Sequence, residues 1–377
     1  MTTYELMRLD DAAAIVDLAD GSMSLREVLD ASALPAGTAP GGGADPWELE
    51  VWWDERRIPD SREGIGSLLE RAGFGSPEEM TEASMGLCVS DCHWIRPAGS
   101  RLGWDDVCPH RVPFPGDLGD MIMDERLSGR PGMPSPDCAT DGALRKRWTL
   151  RGRPVLVKAG RWPLMQEPLC EAVASLAMDA LGIPHTGYDL EFTNGMPASV
   201  CPAFTDGTTE LVTAGRLVSG RGDCRPVPTA QKFLDACSVE GLDVSGHLER
   251  MAVVDFLMMN TDRHSGNYGL LRDSESGEWL GPAPVYDTGT SLMCGSSTDR
   301  IADAVENGAN GDAVPPILRD ADLSWVDTET LHGIVGRMER MLRGYGMDPG
   351  RAGLLPRLLE CRIGRLERLV SPSSPLP

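Results

Sequence analysis

No run of apolar residues in this chain is long enough to span a bilayer. The first twenty residues carry acids throughout, and the basic-then-apolar pattern of a secretory signal is missing. The ten cysteines are scattered and single, never a CxxC pair. With no secretion signal they read as reduced, mostly buried thiols in a cytoplasm. Positive charge is also short: 35 Lys and Arg stand against 57 Asp and Glu, for a net charge of -22. That balance argues against general binding to nucleic acid or to anionic membranes, since both attract basic surfaces. A local basic patch of the size a nucleotide needs is not excluded. No DNA-binding element is visible, so contact with nucleic acid would have to run through a partner.

One cluster could hold a metal in principle: Cys88, Cys92, His93, Cys108 and His110. The spacing is not that of a zinc site, and the adjacency of Cys92 and His93 is awkward for two ligands of one ion. Zinc is not expected there.

What is present fills 377 residues, enough for two or three domains with a full core. Residues 1–35 read as a short α/β element, with helical apolar spacing over Met23–Leu34. Ala36–Pro46 is a Gly/Pro-rich loop expected to be exposed and mobile. Trp47–Ile58 combines aromatics and charges, as packing plus a solvated face. A helix ending at Gly73 and another starting at Ser76-Pro77-Glu78-Glu79 follow, the latter with cap, proline and first-turn acids. Leu87–Pro113 reads as irregular. Residues 1–125 form an accessory region to which the sequence assigns no chemistry.

From about residue 126 the pattern sharpens. Leu144–Leu150 and Pro154–Ala159 read as strands joined by Arg151-Gly152-Arg153, with Lys158 near the end of the second. A helix follows from Glu167-Pro168 to Gly182, with Glu171 near its start. Tyr188–Phe192 and Ala198–Cys201 flank Asn194-Gly195 as another hairpin. Phe204–Val218 reads as a linker and polar segment. Leu248–Met259 is a strongly apolar helix, and Asp255 on it reads as structural. This helix delivers Asn260-Thr261-Asp262-Arg263-His264-Ser265-Gly266-Asn267 at its C-terminal end. A strand, turn and return strand then lead to Tyr286-Asp287-Thr288-Gly289. Two amphipathic helices, about 327–344 and 352–370, precede a Ser/Pro-rich end over 371–377 that reads as disordered.

Asp262 and Asn267 stand five apart, the spacing of the acid and the amide in a kinase catalytic loop. Phosphoryl transfer needs a carboxylate facing the nucleophile and oxygen ligands that hold Mg²⁺ against the phosphates. Asp287 supplies the second acid. Taken singly, Lys158 is an ordinary strand-end lysine and Glu171 an ordinary acid. In the order hairpin with Lys, helix with Glu, hairpin, connector, they follow the small lobe of a kinase.

The segments VLVKAG, QEPLCEAVASLAMDALGIPHTGYDL, SVCPAF, NTDRHSGN and VYDTG together resemble the HipA-like bacterial protein kinases, the CtkA type included. The resemblance covers about 130–365. It implies an α+β fold, bilobal and protein-kinase-like, with a small β-rich N-lobe over 126–204, a helical C-lobe over 205–370 and the N-terminal accessory region before them. It implies an ATP- and Mg²⁺-dependent Ser/Thr protein kinase, with Asp262 as catalytic base and Asn267 and Asp287 as Mg²⁺ ligands. Lys158, paired with Glu171, would bind phosphates, and His264 would fix the shape of the loop. The family's phosphate-covering loop matches Ser135–Lys146, where Gly142 is the only glycine; Ser135 and Thr140 are the autophosphorylation candidates it implies. The adenine-binding hinge would lie at Cys201–Phe204. Pro202 has no N–H, so Ala203 or Phe204 would donate. The resemblance further implies a protein substrate and an antitoxin-like partner. The alternatives are a small-molecule or lipid-type phosphotransferase on the same fold, and a pseudokinase that binds nucleotide without turnover.

Overall fold

The computed structural model describes residues 1–219, 221, 227–310, 313–319 and 321–371; the end expected to be disordered lies, after Ser371, outside the described residues. The chain divides into two compact units, each discontinuous in sequence. The first comprises Met1–Lys158, Val200–Leu242 and Tyr268–Ala283; the second comprises Ala159–Ser199, Asp243–Asn267 and Pro284–Pro377. These divisions cut the chain at places other than 125 and 204.

The first unit opens with an antiparallel sheet in the order Ser22–Val28, Asp11–Ala19, Thr2–Arg8, His93–Pro97. The helix expected over Met23–Leu34 is therefore a strand and a short 3-10 turn (Ala31–Ala33). The reason is local: Asp20 (φ 51°) and Gly21 (φ 87°) make a tight turn whose twist suits a hairpin. Ser22–Val28 then pairs back onto Asp11–Ala19. Trp52 and Trp53, on the helix Pro46–Asp54, pack with Leu6, Val16 and Ile95. Trp47 on the same helix is 68% exposed, the solvated side of that element. The helix Ile65–Ala72 stops at left-handed Gly73, and the side chain of Ser76 caps the helix Pro77–Ala83 by accepting from Glu79 N–H at 3.3 Å.

Lys146–Leu150 and Pro154–Ala159 form the expected hairpin, with Lys146 directly opposite Lys158. A second sheet takes the order Trp279–Pro282, Gly269–Asp273, Thr209–Thr213. Phe204–Val218, expected as a linker, thus holds the strand Thr209–Thr213 and the helix Ala214–Ser219. The strand's partner, Gly269–Asp273, stands far along the chain, beyond any local pattern.

The second unit is mostly helical. In the helix Glu167–Ala180 every residue from Glu167 to Met178 is buried. The hairpin of Asp189–Thr193 and Met196–Pro202 turns at Asn194 (φ 53°) and Gly195 (φ 77°), and the division of units falls within its second strand. The helices Ser245–Met258, Thr298–Glu306, Thr328–Leu342 and Pro349–Val370 complete the layer. Three buried arginines of the last helix, Arg351, Arg362 and Arg365, bind backbone carbonyls. Arg351 donates to Ser296 O at 2.7 Å and to Gln166 Oε1 at 2.7 Å, and Arg362 donates to Ala309 O at 3.0 Å.

Candidate active site

The helix Ser245–Met258 ends because Met259 adopts a left-handed conformation (φ 55°), which swings the chain out of the helix. Asp255, one turn earlier, then organises the loop after the helix. Its Oδ1 accepts from Asn260 Nδ2 at 2.8 Å and from Arg263 Nη2 at 2.9 Å, and its Oδ2 from Arg263 Nε at 2.9 Å. The Nη1 of the same guanidinium donates to Asn267 O and to Tyr286 O, each at 2.7 Å. One side chain thus binds the backbone of Asn267 and of the residue preceding Asp287. Asp255 is structural, as expected, and it is so by anchoring the loop itself, a role no local pattern announces.

Further bonds lace the two loops. Thr261 N–H donates to Thr290 O at 3.1 Å, Leu292 N–H to Met258 O at 2.7 Å, and Tyr286 OH to Gly266 O at 2.7 Å. Asp262 is exposed; its carbonyl accepts from Asn267 Nδ2 at 2.9 Å and its N–H donates to Asn260 Oδ1 at 3.1 Å. With the Asn267 amide nitrogen held in this way, Oδ1 is the atom it can offer a cation. His264 Nδ1 accepts from Gly266 N–H at 3.1 Å, so its imidazole closes the loop on itself. A Cβ on Gly266 would come within 2.9 Å of that ring, so a larger residue there would push the imidazole out of place.

Asp287 has a positive φ of 54°, tolerable for Asp, and its N–H donates to Tyr188 OH at 3.1 Å. Tyr188 reaches it because residues 184–186 run beside Val285: Val285 N–H donates to Pro184 O and Thr186 N–H to Val285 O, both at 3.0 Å. Gly289 lies against the helix Glu167–Ala180, where a Cβ would meet Glu171 Cγ at 3.5 Å. Buried Glu171 also accepts a hydrogen bond from Ser199 Oγ. The second unit thus brings Asp262, His264, Asn267, Asp287 and Glu171 onto two laced loops and the helix beside them.

The first unit carries the other candidates. Lys158 and Lys146, two of the chain's three lysines, face each other across the hairpin, and both are buried. Residues directly opposite in an antiparallel pair share one face, so both ammonium groups add positive charge there. Gly142 (φ 86°) turns the chain just before Lys146; a Cβ on it would stand 3.0 Å from Lys146 Nζ. In the sequence Lys146 stands out only as the end of the phosphate loop.

Two expectations for this unit need correcting. Ala203 N–H already donates to Pro154 O at 2.9 Å, so in this structure Ala203 is not the adenine donor. Ser135 and Thr140 are buried rather than displayed, at 0% and 5% exposure. Ser135 Oγ binds Asp137 Oδ2 at 3.2 Å, and Thr140 Oγ1 donates to Asp137 O at 2.9 Å. Neither hydroxyl can meet a phosphoryl donor without unfolding this segment. The cause is Asp137, which is wholly buried: its carboxylate accepts from Ser135 Oγ and from Trp148 N–H at 2.5 Å, and its main-chain carbonyl accepts from Thr140 Oγ1. Burial pushes its pKa up to about 6.

The cysteine and histidine cluster is dispersed into separate contacts. Cys92 Sγ bonds Gly207 O at 3.3 Å, His110 Nε2 lies 2.9 Å from Val89 O, and His93 Nδ1 faces Glu210 at 3.4 Å. Among the described residues no three His, Cys, Asp or Glu side chains are grouped as metal ligands. Asn267 and Asp287 offer an amide oxygen and a carboxylate, hard donors of the kind Mg²⁺ takes alongside phosphate oxygens. The donor set therefore fits that ion. No helix among the described residues is long and apolar enough to cross a membrane.

No family model and no curated protein matches this sequence. Solved structures do. The fold is that of HipA- and CtkA-type kinases, a mixed α/β architecture with small antiparallel sheets and a helical layer. The proinflammatory kinase CtkA of Helicobacter pylori matches with a TM-score of 0.50 and 19% identity, over 60% of this chain and 93% of its own. HipA of Shewanella oneidensis MR-1, solved with HipB and operator DNA, matches with a TM-score of 0.56 and 14% identity, over 97% of each chain.

Proposed function

We propose that this chain is an ATP- and Mg²⁺-dependent HipA-like Ser/Thr protein kinase, transferring the γ-phosphoryl group to a protein hydroxyl in the cytoplasm. The observation that carries the reading is the Arg263 side chain, which ties the Asp262–Asn267 loop to the segment entering Asp287. Binding a nucleotide does not require an exposed acid beside a metal-ligand pair; in-line transfer does.

In this reading Asp262 orients the acceptor hydroxyl and takes its proton as the oxygen attacks the γ-phosphorus. The bond from that phosphorus to the bridging oxygen breaks, and ADP leaves. Asn267 Oδ1 and the Asp287 carboxylate would hold Mg²⁺, which neutralises the charge of the phosphates when bound. Lys158 would draw the phosphates as a point charge, with Glu171 as the partner acid that the kinase resemblance assigns to it. Phe204 would present its main chain to the adenine, as the resemblance implies, and Gly142 would lie on the phosphate side. The likeness to HipA supports an antitoxin-like protein partner, with any contact to nucleic acid running through that partner.

The test is incubation with ATP and Mg²⁺ and a panel of protein and small-alcohol acceptors, wild type beside Asp287→Ala, read by intact mass. A gain of about 80 daltons, one phosphoryl group, on a protein acceptor with wild type only supports the reading. Transfer to small alcohols alone moves the acceptor class. Nucleotide binding without transfer to any acceptor makes the chain a pseudokinase.

A further inference from the structure

The N-terminal region supplies one side chain to the turn that the proposed function puts beside the nucleotide phosphates. Arg62 lies between the helices Pro46–Asp54 and Ile65–Ala72 and is only 3% exposed. Its guanidinium binds three consecutive residues. Nε donates to Gly142 O at 2.7 Å, and Nη1 to Thr140 Oγ1 at 3.2 Å. Nη2 donates to Asp141 O at 3.2 Å, to Thr140 Oγ1 at 3.3 Å and to Thr140 O. The next residue continues the clasp: Glu63 N–H donates to Ala143 O at 3.0 Å, and its carboxylate meets Arg145 Nη2 at 3.2 Å. Four successive carbonyls, from Thr140 to Ala143, are therefore bound by the segment 62–63.

A buried cation is costly unless it is hydrogen-bonded, and a guanidinium offers five donors in a fixed fork. Arg62 uses that fork to fix a backbone turn. Gly142 sits within that turn in the left-handed region, and the side chain of Lys146, in register with Lys158, stands against it. A loop that wraps phosphates with its own backbone needs several glycines; this one has a single glycine and is held from outside. Pre-ordering a binding turn removes an entropy cost that would otherwise weaken the ligand.

We propose that Arg62 is a positioning residue for nucleotide binding, so that the N-terminal region sets the affinity of the chain for ATP through the 140–143 turn. The inference rests on the kinase reading above and assigns Arg62 no contact with substrate.

The test compares the full chain with Arg62→Lys and Arg62→Ala. ATP binding is measured by calorimetry with Mg²⁺, phosphoryl transfer by steady-state kinetics, and folding by thermal melting. We expect KM and Kd for ATP to rise by about ten-fold or more, with kcat changed much less, because the turn is lost and not the chemistry. Guanidinium ion at millimolar concentration should restore part of the affinity of Arg62→Ala, and Arg62→Lys should fall between the two because it keeps the charge without the fork. Folded variants with unchanged ATP affinity would overturn the inference, as would a fall in kcat at unchanged KM. New phosphate on Ser135 or Thr140 in Arg62→Ala, with ATP affinity unchanged, would also overturn it, because Arg62 would then be a lock on those hydroxyls. If Arg62→Ala does not fold, Thr140→Val removes the hydroxyl that Arg62 grips and should raise KM in the same direction by a smaller factor; an unchanged KM there counts against the inference. A wild-type chain that binds no ATP defeats the kinase reading itself, an outcome distinct from equal binding by wild type and variants.

Discussion

Arg263 and Asp255 form a two-pronged ion pair, Nε to Oδ2 and Nη2 to Oδ1, each at 2.9 Å. The remaining nitrogen, Nη1, reaches Asn267 O and Tyr286 O. Asp255→Ala leaves a largely buried cation without its counter-charge, a loss worth about 3–5 kcal/mol in comparable pairs. Denaturant unfolding should show that loss, and phosphoryl transfer should fall with it at temperatures where the variant is still folded. An unchanged unfolding midpoint would mean that the pair does not anchor the loop.

Asp262→Asn keeps the size of the side chain and removes its capacity to take a proton. Asp262 is exposed, so little packing depends on it. Transfer should drop by roughly 10²–10⁴-fold, the worth of a general base, with the melting temperature within a degree or two of wild type (about 0.5 kcal/mol, as for surface changes). Retained activity in labelled-ATP assays would remove Asp262 from the mechanism.

Asp137 gives a pH signature. Burial raises its folded-state pKa from 3.8 to about 6. Between those values the folded chain binds a proton that the unfolded chain has released. The stabilisation is fully present below the unfolded value and is lost as pH rises through about 6. The whole effect is on the order of 3 kcal/mol. Unfolding free energies at pH 4 to 7 for wild type and Asp137→Asn should differ in slope, with the variant flatter; parallel curves would refute the assignment.

Gly269 is required by a strand contact. A Cβ there would lie 2.2 Å from Val212 O and 2.8 Å from Thr213 Cα, both backbone atoms that cannot rotate away. Gly269→Ala must part the strands Gly269–Asp273 and Thr209–Thr213, at a cost at the upper end of the 1–3 kcal/mol typical of overpacking, or about 3 kcal/mol. Thermal melting would show it, and a neutral substitution would mean that the strands sit further apart.

The local elements were largely legible because their signals are local. Ser76 and Gly73 cap helices by their own chemistry, Asn194-Gly195 turns by backbone preference, and the five-residue step from Asp262 to Asn267 is set by the loop they share. Asp20-Gly21 carried an equally local signal for a hairpin, and the helical spacing of the residues after it masked that signal. Thr209–Thr213 could not be read so, because what makes it a strand is Gly269–Asp273, brought to it only by folding.

The sequence by itself determined the elements whose signals are local and the types of the reactive groups: Lys158 on a strand, Glu171 on a helix, Asp262, Asn267 and Asp287 on loops. Tertiary structure alone decided which carbonyls Arg263 and Arg62 bind, that Tyr188 meets Asp287, that Lys146 faces Lys158, and that Ser135 and Thr140 are folded inward. The Arg62–Thr140, Arg263–Tyr286 and Tyr188–Asp287 contacts join residues distant in the chain, and a buried donor or acceptor takes whichever partner folding brings within reach, since leaving it unpaired costs more than any local preference supplies.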